Sequence, residues 1–203
     1  GVSTARAVRI FKTYGEKAIE IISHNPYQLA KDIKGIGFLT ADQIAQKIGI
    51  DKLSSLRAQA GISYALSKAM DQGHCGLPKD QLIQKCQELL EIPEELIGQA
   101  LKEELSVQEV FQEIIDEREC IFPRWVAYAE KNIAERLLNL QQGHLPWPAI
   151  ESQKAFCWME EKTGLRLSPS QIKAVQTAID SKVLIITGGP GVGKTTIIRC
   201  ILQ

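Results

Sequence analysis

Apolar residues recur every three to four positions along most of this chain, the spacing of helices that bury one face. The pattern predicts helices near 2–13, 15–23, 26–32, 38–48, 53–71, 78–91, 93–105, 124–141, 150–163 and 169–180. Pro78, Pro93 and Pro169 suit the first turns of three of them, where a missing N–H costs nothing. Two stretches break the helical period. Over 107–122, Val107, Val110, Phe111, Ile114 and Ile115 precede Asp116-Glu117-Arg118, and Cys120-Ile121-Phe122 follow, which predicts a β-hairpin. Val183-Leu184-Ile185-Ile186-Thr187 is continuous, rich in β-branched residues and closed by glycines, which predicts a buried strand of the parallel-sheet kind.

Three helices followed by a hairpin over 54–122 have the layout of a winged helix. Leu145-Pro146-Trp147-Pro148 reads as a stiff linker, because each proline restricts its neighbour. Ahead of these lies a repeat. Residues 33–44, IKGIGFLTADQI, have the order apolar-x-Gly-apolar-Gly-x-x-x-Ala-x-x-apolar. Residues 1–8, GVSTARAV, match its second half at an offset of 36, as Gly-x-x-Thr-Ala-x-x-apolar. The front of the chain therefore reads as a tandem helix-hairpin-helix whose first copy begins mid-motif, as though the natural start lay upstream. The expected fold is mainly α. A tandem helix-hairpin-helix at 1–52 precedes a winged-helix-like domain at 53–145. The truncated start of a P-loop α/β ATPase domain follows at 146–203.

Composition changes this picture little. The 203 residues are 44% hydrophobic and 24% charged, as in ordinary globular proteins, and contain no apolar run near the roughly 20 residues a membrane span needs. The opening residues lack the layout of a secretory signal, so a cytoplasmic address is expected. Five cysteines form no CxxC pair and His24, His74 and His144 are scattered, so neither a disulfide framework nor a zinc site is expected. The zero net charge is a cancellation. Residues 1–50 hold seven Lys/Arg against four Asp/Glu, whereas residues 86–120 hold two against eleven. Solvated helix faces are the expected seat of those acids.

The strongest chemical signal is Gly188-Gly189-Pro190-Gly191-Val192-Gly193-Lys194-Thr195, a G-x-x-x-x-G-K-[ST] loop set between an expected strand and an expected helix. Glycines let the main chain turn tightly with N–H groups facing inward, and the helix N-terminus adds positive potential, so the loop is suited to a triphosphate. Lys194 is placed to reach the β- and γ-phosphates, the Thr195 hydroxyl to ligate Mg²⁺, and Thr196 to flank them. ATP and Mg²⁺ are the implied cofactors. Seventeen positions upstream, Gln171 stands third after Ser168, which fits a helix capping box. Its amide could equally read an adenine edge, since it donates and accepts. From spacing alone both roles stand open.

The glycine hairpin is the second signal. Lys34, Gly35, Ile36 and Gly37 in the intact copy, and Gly1 and Ser3 in the other, form candidate tips where backbone N–H groups meet a DNA phosphate without reading sequence. Lys31 and Lys47 supply counter-charge, Ala41 permits close helix packing, and a purely structural hairpin is the alternative. The winged-helix candidate carries Glu94, Glu95, Glu103 and Glu104 on one helix, a poor surface for DNA and a better spacer or protein contact. Trp125, Trp147 and Trp158 read as core or linker anchors ahead of base-stacking groups, and His74, after Gly73, as part of a helix end.

In order, these parts resemble the RecD-like ATP-dependent DNA helicases (exodeoxyribonuclease V alpha chain, RecD/TraA type). The resemblance is carried by the hairpins at 1–8 and 33–44, residues 73–78 (GHCGLP), residues 129–134 (AEKNIA), residues 167–171 (LSPSQ) and residues 187–196 (TGGPGVGKTT). It is nearest the long-N-terminus branch that works without RecB and RecC. It implies a superfamily 1 helicase moving 5′ to 3′ on single-stranded DNA, with Gln171 reading adenine; the oligomeric state stays open, with a monomer favoured. Competing readings are a non-catalytic DNA-binding or scaffold module with a vestigial phosphate loop, and a strand-exchange recombinase. The acidic strand, arginine finger and second motor domain needed for hydrolysis would follow residue 203. This chain alone is therefore expected to hydrolyse ATP negligibly. DNA-stimulated turnover that is lost in Lys194→Ala, measured by phosphate release, would refute that expectation.

Overall fold

A computed structural model describes residues 4–164 and 166–202. The chain forms two compact units, Gly1–Ala129 and Glu130–Gln203.

In the first unit, α1 (Thr4–Tyr14), a 3₁₀ turn (Gly15–Lys17), α2 (Ala18–His24), α3 (Gln28–Asp32) and α4 (Phe38–Lys47) make up the hairpin region. It has a small core of its own, in which Ile10, Leu29, Ile33, Ile36 and Ile44 interlock. The repeat is packed unequally. Ala41 and Ile44 are buried, while their counterparts Ala5 and Val8 on α1 are exposed. Gly1 and Ser3, the tip of the first copy, lie outside the described residues.

The three helices and hairpin expected over 54–122 are present as α5 (Ser55–Asp71), β1 (Leu77–Pro78), α6 (Lys79–Leu90), α7 (Glu94–Ser106), β2 (Val110–Ile115) and β3 (Arg118–Pro123), a winged-helix-like layout. The strands are antiparallel in the order β1-β3-β2, with Leu77 and Gln112 both registered to Ile121. Asp116 and Glu117 both have positive φ (47° and 64°), the two-residue turn whose twist suits a hairpin. The wing thus spans 110–123, and β1 went unread because two residues carry no period. Gly73, at φ +91°, ends α5, and the His74 N–H returns to the Ala69 carbonyl at 3.0 Å as part of that cap. Pro78 and Pro93 sit just before their helices, while Pro169 opens its helix.

A larger core runs through both regions. Phe38, Ala41 and Ala45 of α4 pack with Ile62 and Leu66 of α5, Leu82 of α6, Ile97 and Leu101 of α7 and Ile121 of β3. Gly61 lets α5 approach α6, since a Cβ there would sit 2.6 Å from Leu90. The acidic helix α7 departs from the solvated face expected of it. Glu103 accepts from Ser55 and from Gln59 Nε2, which hold its carboxyl below the usual range. Glu104 is buried, and desolvation pushes its carboxyl up although Lys31 opposes the shift.

One polar cluster crosses that core. Arg57 Nε and Nη2 donate to the two Asp42 oxygens at 2.9 and 3.2 Å. Asp42 also accepts from Tyr27 Oη at 2.8 Å and Gln46 Nε2 at 3.2 Å. Arg57 Nη1 donates to the carbonyls of Leu90 (2.9 Å) and Lys52 (3.2 Å). Both charges are thus fully engaged where water is excluded.

The helix α8 (Arg124–Gln141) runs across the boundary between the two units. The second unit contains α9 (Ser152–Thr163), α10 (Pro169–Asp180) and α11 (Lys194–Ile201). Met159, Val175, Ile197 and Cys200 form its core. Trp147 anchors the proline linker by donating from Nε1 to the Ile179 carbonyl at 2.9 Å. Residues 183–187 are not the buried strand expected from their composition. They form no ladder with any described residue, and Ile185 is 79% exposed. A β-branched run becomes a strand only when another chain segment takes up its N–H and C=O groups. Among the described residues, no helix is long and apolar enough to cross a membrane.

Removing one partner of the Arg57–Asp42 pair leaves the other buried and uncompensated, a loss of about 3–5 kcal/mol. Asp42→Ala should therefore destabilise the chain by that amount in urea titration. Asp42→Leu with Arg57→Leu should lose clearly less than the sum of the single changes.

Candidate nucleotide loop and DNA-contacting hairpin

The phosphate loop is built by its backbone. Gly191 and Gly193 have φ of +77° and +84°, a region that residues with a Cβ enter only with strain. Gly193 is the residue before α11, and its carbonyl accepts the Ile197 N–H at 3.0 Å. A Cβ at Gly188 would sit 2.9 Å from Val192, and one at Gly193 would sit 2.6 Å from Gln171 Nε2. Among the described residues, no backbone carbonyl accepts from the N–H groups of Gly191, Val192 or Gly193. Main-chain N–H groups without a carbonyl partner, beside a helix N-terminus and in backbone that favours glycine, fit a polyphosphate. Lys194 Nζ donates to the carbonyls of Gly188 (2.7 Å) and Gly189 (2.6 Å), so its charge lies across the mouth of the loop. Thr195 and Thr196 follow in the first turn of α11, with Thr195 exposed and Thr196 half-buried; Pro190 and Val192 are exposed.

Gln171 takes the capping role that spacing left open, and its amide also reaches the loop. Its Oε1 accepts the Ser168 N–H at 2.9 Å while Ser168 Oγ accepts the Gln171 N–H at 3.4 Å, a complete capping box. The far side of the same amide donates from Nε2 to the Val192 carbonyl at 3.2 Å. The cap therefore aims the side chain at the loop and does not compete with it.

The intact hairpin gives a more divided result. Lys34, Gly35 and Gly37 are exposed at the tip. Gly35 needs glycine for its backbone, because its φ is +92°; the Arg9 Nη1 that a Cβ would meet at 2.7 Å is the mobile end of a side chain. Gly37 has extended backbone and begins α4, its carbonyl accepting the Thr40 and Ala41 N–H groups. Ile36 does not share the tip. Its side chain is 2% exposed and its N–H donates to the Ile33 carbonyl at 3.0 Å, so it anchors the turn from below. The sequence reading missed Arg9, whose Nη1 donates to the Lys34 carbonyl at 3.2 Å and brings a second cation to the tip. No spacing rule links residues 9 and 34; only the fold does.

Trp158 is half-exposed beneath Lys162, whereas Trp125 is 62% exposed and neither a core nor a linker residue, contrary to expectation. Among the described residues, no group of three His, Cys, Asp or Glu side chains is placed to hold a metal ion.

Gln171→Glu keeps the oxygen that caps α10 but loses the donor to Val192. It should retain thermal stability while nucleotide affinity falls about tenfold, the worth of one hydrogen bond. Gln171→Ala should show the same affinity loss and lower stability by about 1 kcal/mol. Paired melting and nucleotide titrations check both, and unchanged affinity in Gln171→Glu would exclude the amide donor from binding.

Comparison with known proteins agrees with this geometry. Residues 1–76 match the model of the ATP-dependent RecD2 DNA helicase HHH domain. Residues 171–203 match that of an AAA domain, a match that begins at Gln171. The ATP-dependent RecD2 DNA helicase of Deinococcus radiodurans is 26% identical over 212 residues, which cover 99% of this chain and 29% of that relative. The chain thus spans less than a third of that relative's length. The chain is thus similar to RecD2 helicases at its helix-hairpin-helix front and to AAA domains at its end, and resembles a fragment of a RecD-like helicase.

Proposed function

We propose that the chain serves an ATP-dependent DNA helicase, contributing a triphosphate-binding loop and a hairpin that holds the DNA backbone. The observation that carries the nucleotide reading is the Gln171 amide joined to a loop whose glycines already adopt left-handed backbone. Residues 188–195 would wrap the phosphates with main-chain donors, and Lys194 would exchange its carbonyl partners for phosphate oxygens. Thr195 Oγ1 would ligate Mg²⁺, with Thr196 beside it. Bound ATP and Mg²⁺ supply the phosphoryl group and the charge neutralisation for its transfer. At the hairpin, Lys34 and the exposed glycines Gly35 and Gly37 would meet phosphate oxygens, with Ile36 holding the turn. The tip of the first copy, Gly1 and Ser3, would act likewise. Movement 5′ to 3′ on single-stranded DNA follows from the family resemblance.

Titration of Mg²⁺ and a fluorescent ATP analogue into the 203-residue chain should saturate, and Lys194→Ala should weaken binding at least tenfold. Equal binding by Lys194→Ala would overturn the nucleotide reading. Separately, DNA affinity should fall steeply with salt, and Lys34→Ala should reduce the log–log slope by about 0.7–0.9. An unchanged slope and affinity would leave the hairpin as a packing element.

A further inference from the structure

Beside the hairpin, the first unit contains a groove of about 870 Å³ that begins at Gly37 and runs between α5 and the start of α8. Its floor is rigid. Tyr27, Phe38 and Tyr64 stack in sequence, with ring centroids 5.9 and 5.1 Å apart. Its rim is aromatic and basic together. Trp125 and Tyr128 are 62% and 44% exposed. Lys68 Nζ lies 5.8 Å from the Tyr64 centroid, Arg124 Cζ lies 5.9 Å from that of Tyr128, and Lys31 lines the same space. Two carboxylates temper this rim: Glu109 stands 3.8 Å from Arg124, and Asp71 pairs with Lys68 Nζ at 2.9 Å.

We propose that this groove binds single-stranded DNA, stacking bases on Trp125 and Tyr128 while Lys31, Lys68 and Arg124 face the phosphates. Alternating ring faces and cations match a polymer that alternates flat bases and phosphates. A duplex is a poor occupant, because its base faces are already covered by their neighbours. A neutral apolar helix would offer these cations no counter-charge. Gly37 belongs to both the hairpin tip and the groove edge, so a strand held by its backbone at the tip meets the aromatic rim within a few residues of protein. The site extends the proposed DNA contact but uses side chains that the hairpin does not.

The test uses the intact 203-residue chain with a fluorescein-labelled 15-nucleotide oligothymidine and a duplex of equal length, read by anisotropy across a salt series. Wild type should prefer the single strand. Trp125→Ala and Tyr128→Ala should each weaken single-strand binding about tenfold without changing the salt slope, and Trp125→Phe should restore most of the loss. Lys68→Ala should lower the slope by about 0.7. Lys34→Ala should weaken single strand and duplex alike, which separates failure of the hairpin from failure of the groove. Both rings are exposed, so melting temperatures should stay within a degree or two of wild type, and the Trp125→Phe restoration excludes a folding artefact. Wild-type affinity in the Trp125→Ala, Tyr128→Ala double variant, or equal loss of single-strand and duplex binding in it, would overturn the proposal and leave the groove to a protein partner.

Discussion

The first unit depends on a charge pair withdrawn from water. Asp42 on the second helix of the hairpin and Arg57 at the start of α5 would each be costly to bury alone. Together they are tolerated because every strong donor and acceptor finds a partner, including two backbone carbonyls that Arg57 reaches. One of these, at Leu90, is open because α6 ends there, with Glu91 turning into left-handed backbone. The guanidinium therefore ties the hairpin to the ends of two winged-helix helices. Tyr27 closes the cluster from the other side. Burial first, and its hydrogen bond to Asp42 second, push its phenol well above the usual range, so it remains a donor at any physiological pH. Its ring is also the first of the three stacked beneath the groove. A polar constraint thus fixes both the tilt of the hairpin and the position of an aromatic platform.

In the second unit the controlling constraint is conformational. Gly191 and Gly193 adopt backbone that other residues avoid, and Gly193 must also leave room for an amide. Gln171 is held in that space by the capping box of α10, so a device usually regarded as local helix chemistry sets the reach of a side chain toward the loop. The loop is organised with the lysine already turned inward. Preorganisation of this kind lowers the ordering cost that phosphate binding would otherwise meet.

Much of this was legible in the sequence, for identifiable reasons. Helices showed because their apolar spacing is dictated by the α-helical repeat, and the phosphate loop because its glycines serve backbone geometry, not packing. The wing showed through Val110, Phe111, Ile121 and Phe122, which alternate or cluster as a half-buried hairpin must. What stayed hidden depended on distant partners. Residues 183–187 have strand composition, yet a ladder needs a neighbour that composition cannot supply. Ile36 looked like part of a binding tip because Gly-apolar-Gly was read as a unit, whereas the glycines face water and the isoleucine faces the core. Arg9, Asp42 and Arg57 look like ordinary surface charges along the chain, and only the fold brings them to Lys34 and to each other. Trp125 reads as a core residue by type, and its exposure follows from the start of α8 having no described element over that face.

The charge distribution now has a structural meaning that the net value of zero conceals. Acids concentrated in residues 86–120 are partly used for construction. Glu94 and Glu95 sit in the first turn of α7, where the helix dipole favours them, and Glu103 clasps α5 through Ser55 and Gln59. They do not compete for the basic groups at the hairpin and groove, except where Glu104 faces Lys31 and Glu109 faces Arg124. The Arg124–Glu109 and Lys68–Asp71 pairs beside the groove are partly solvated and have the weak strength expected there. An anionic strand would therefore displace partners that are easily given up. This lets a chain without net charge present a locally cationic path, and it makes that path sensitive to salt at the groove itself instead of through any overall field.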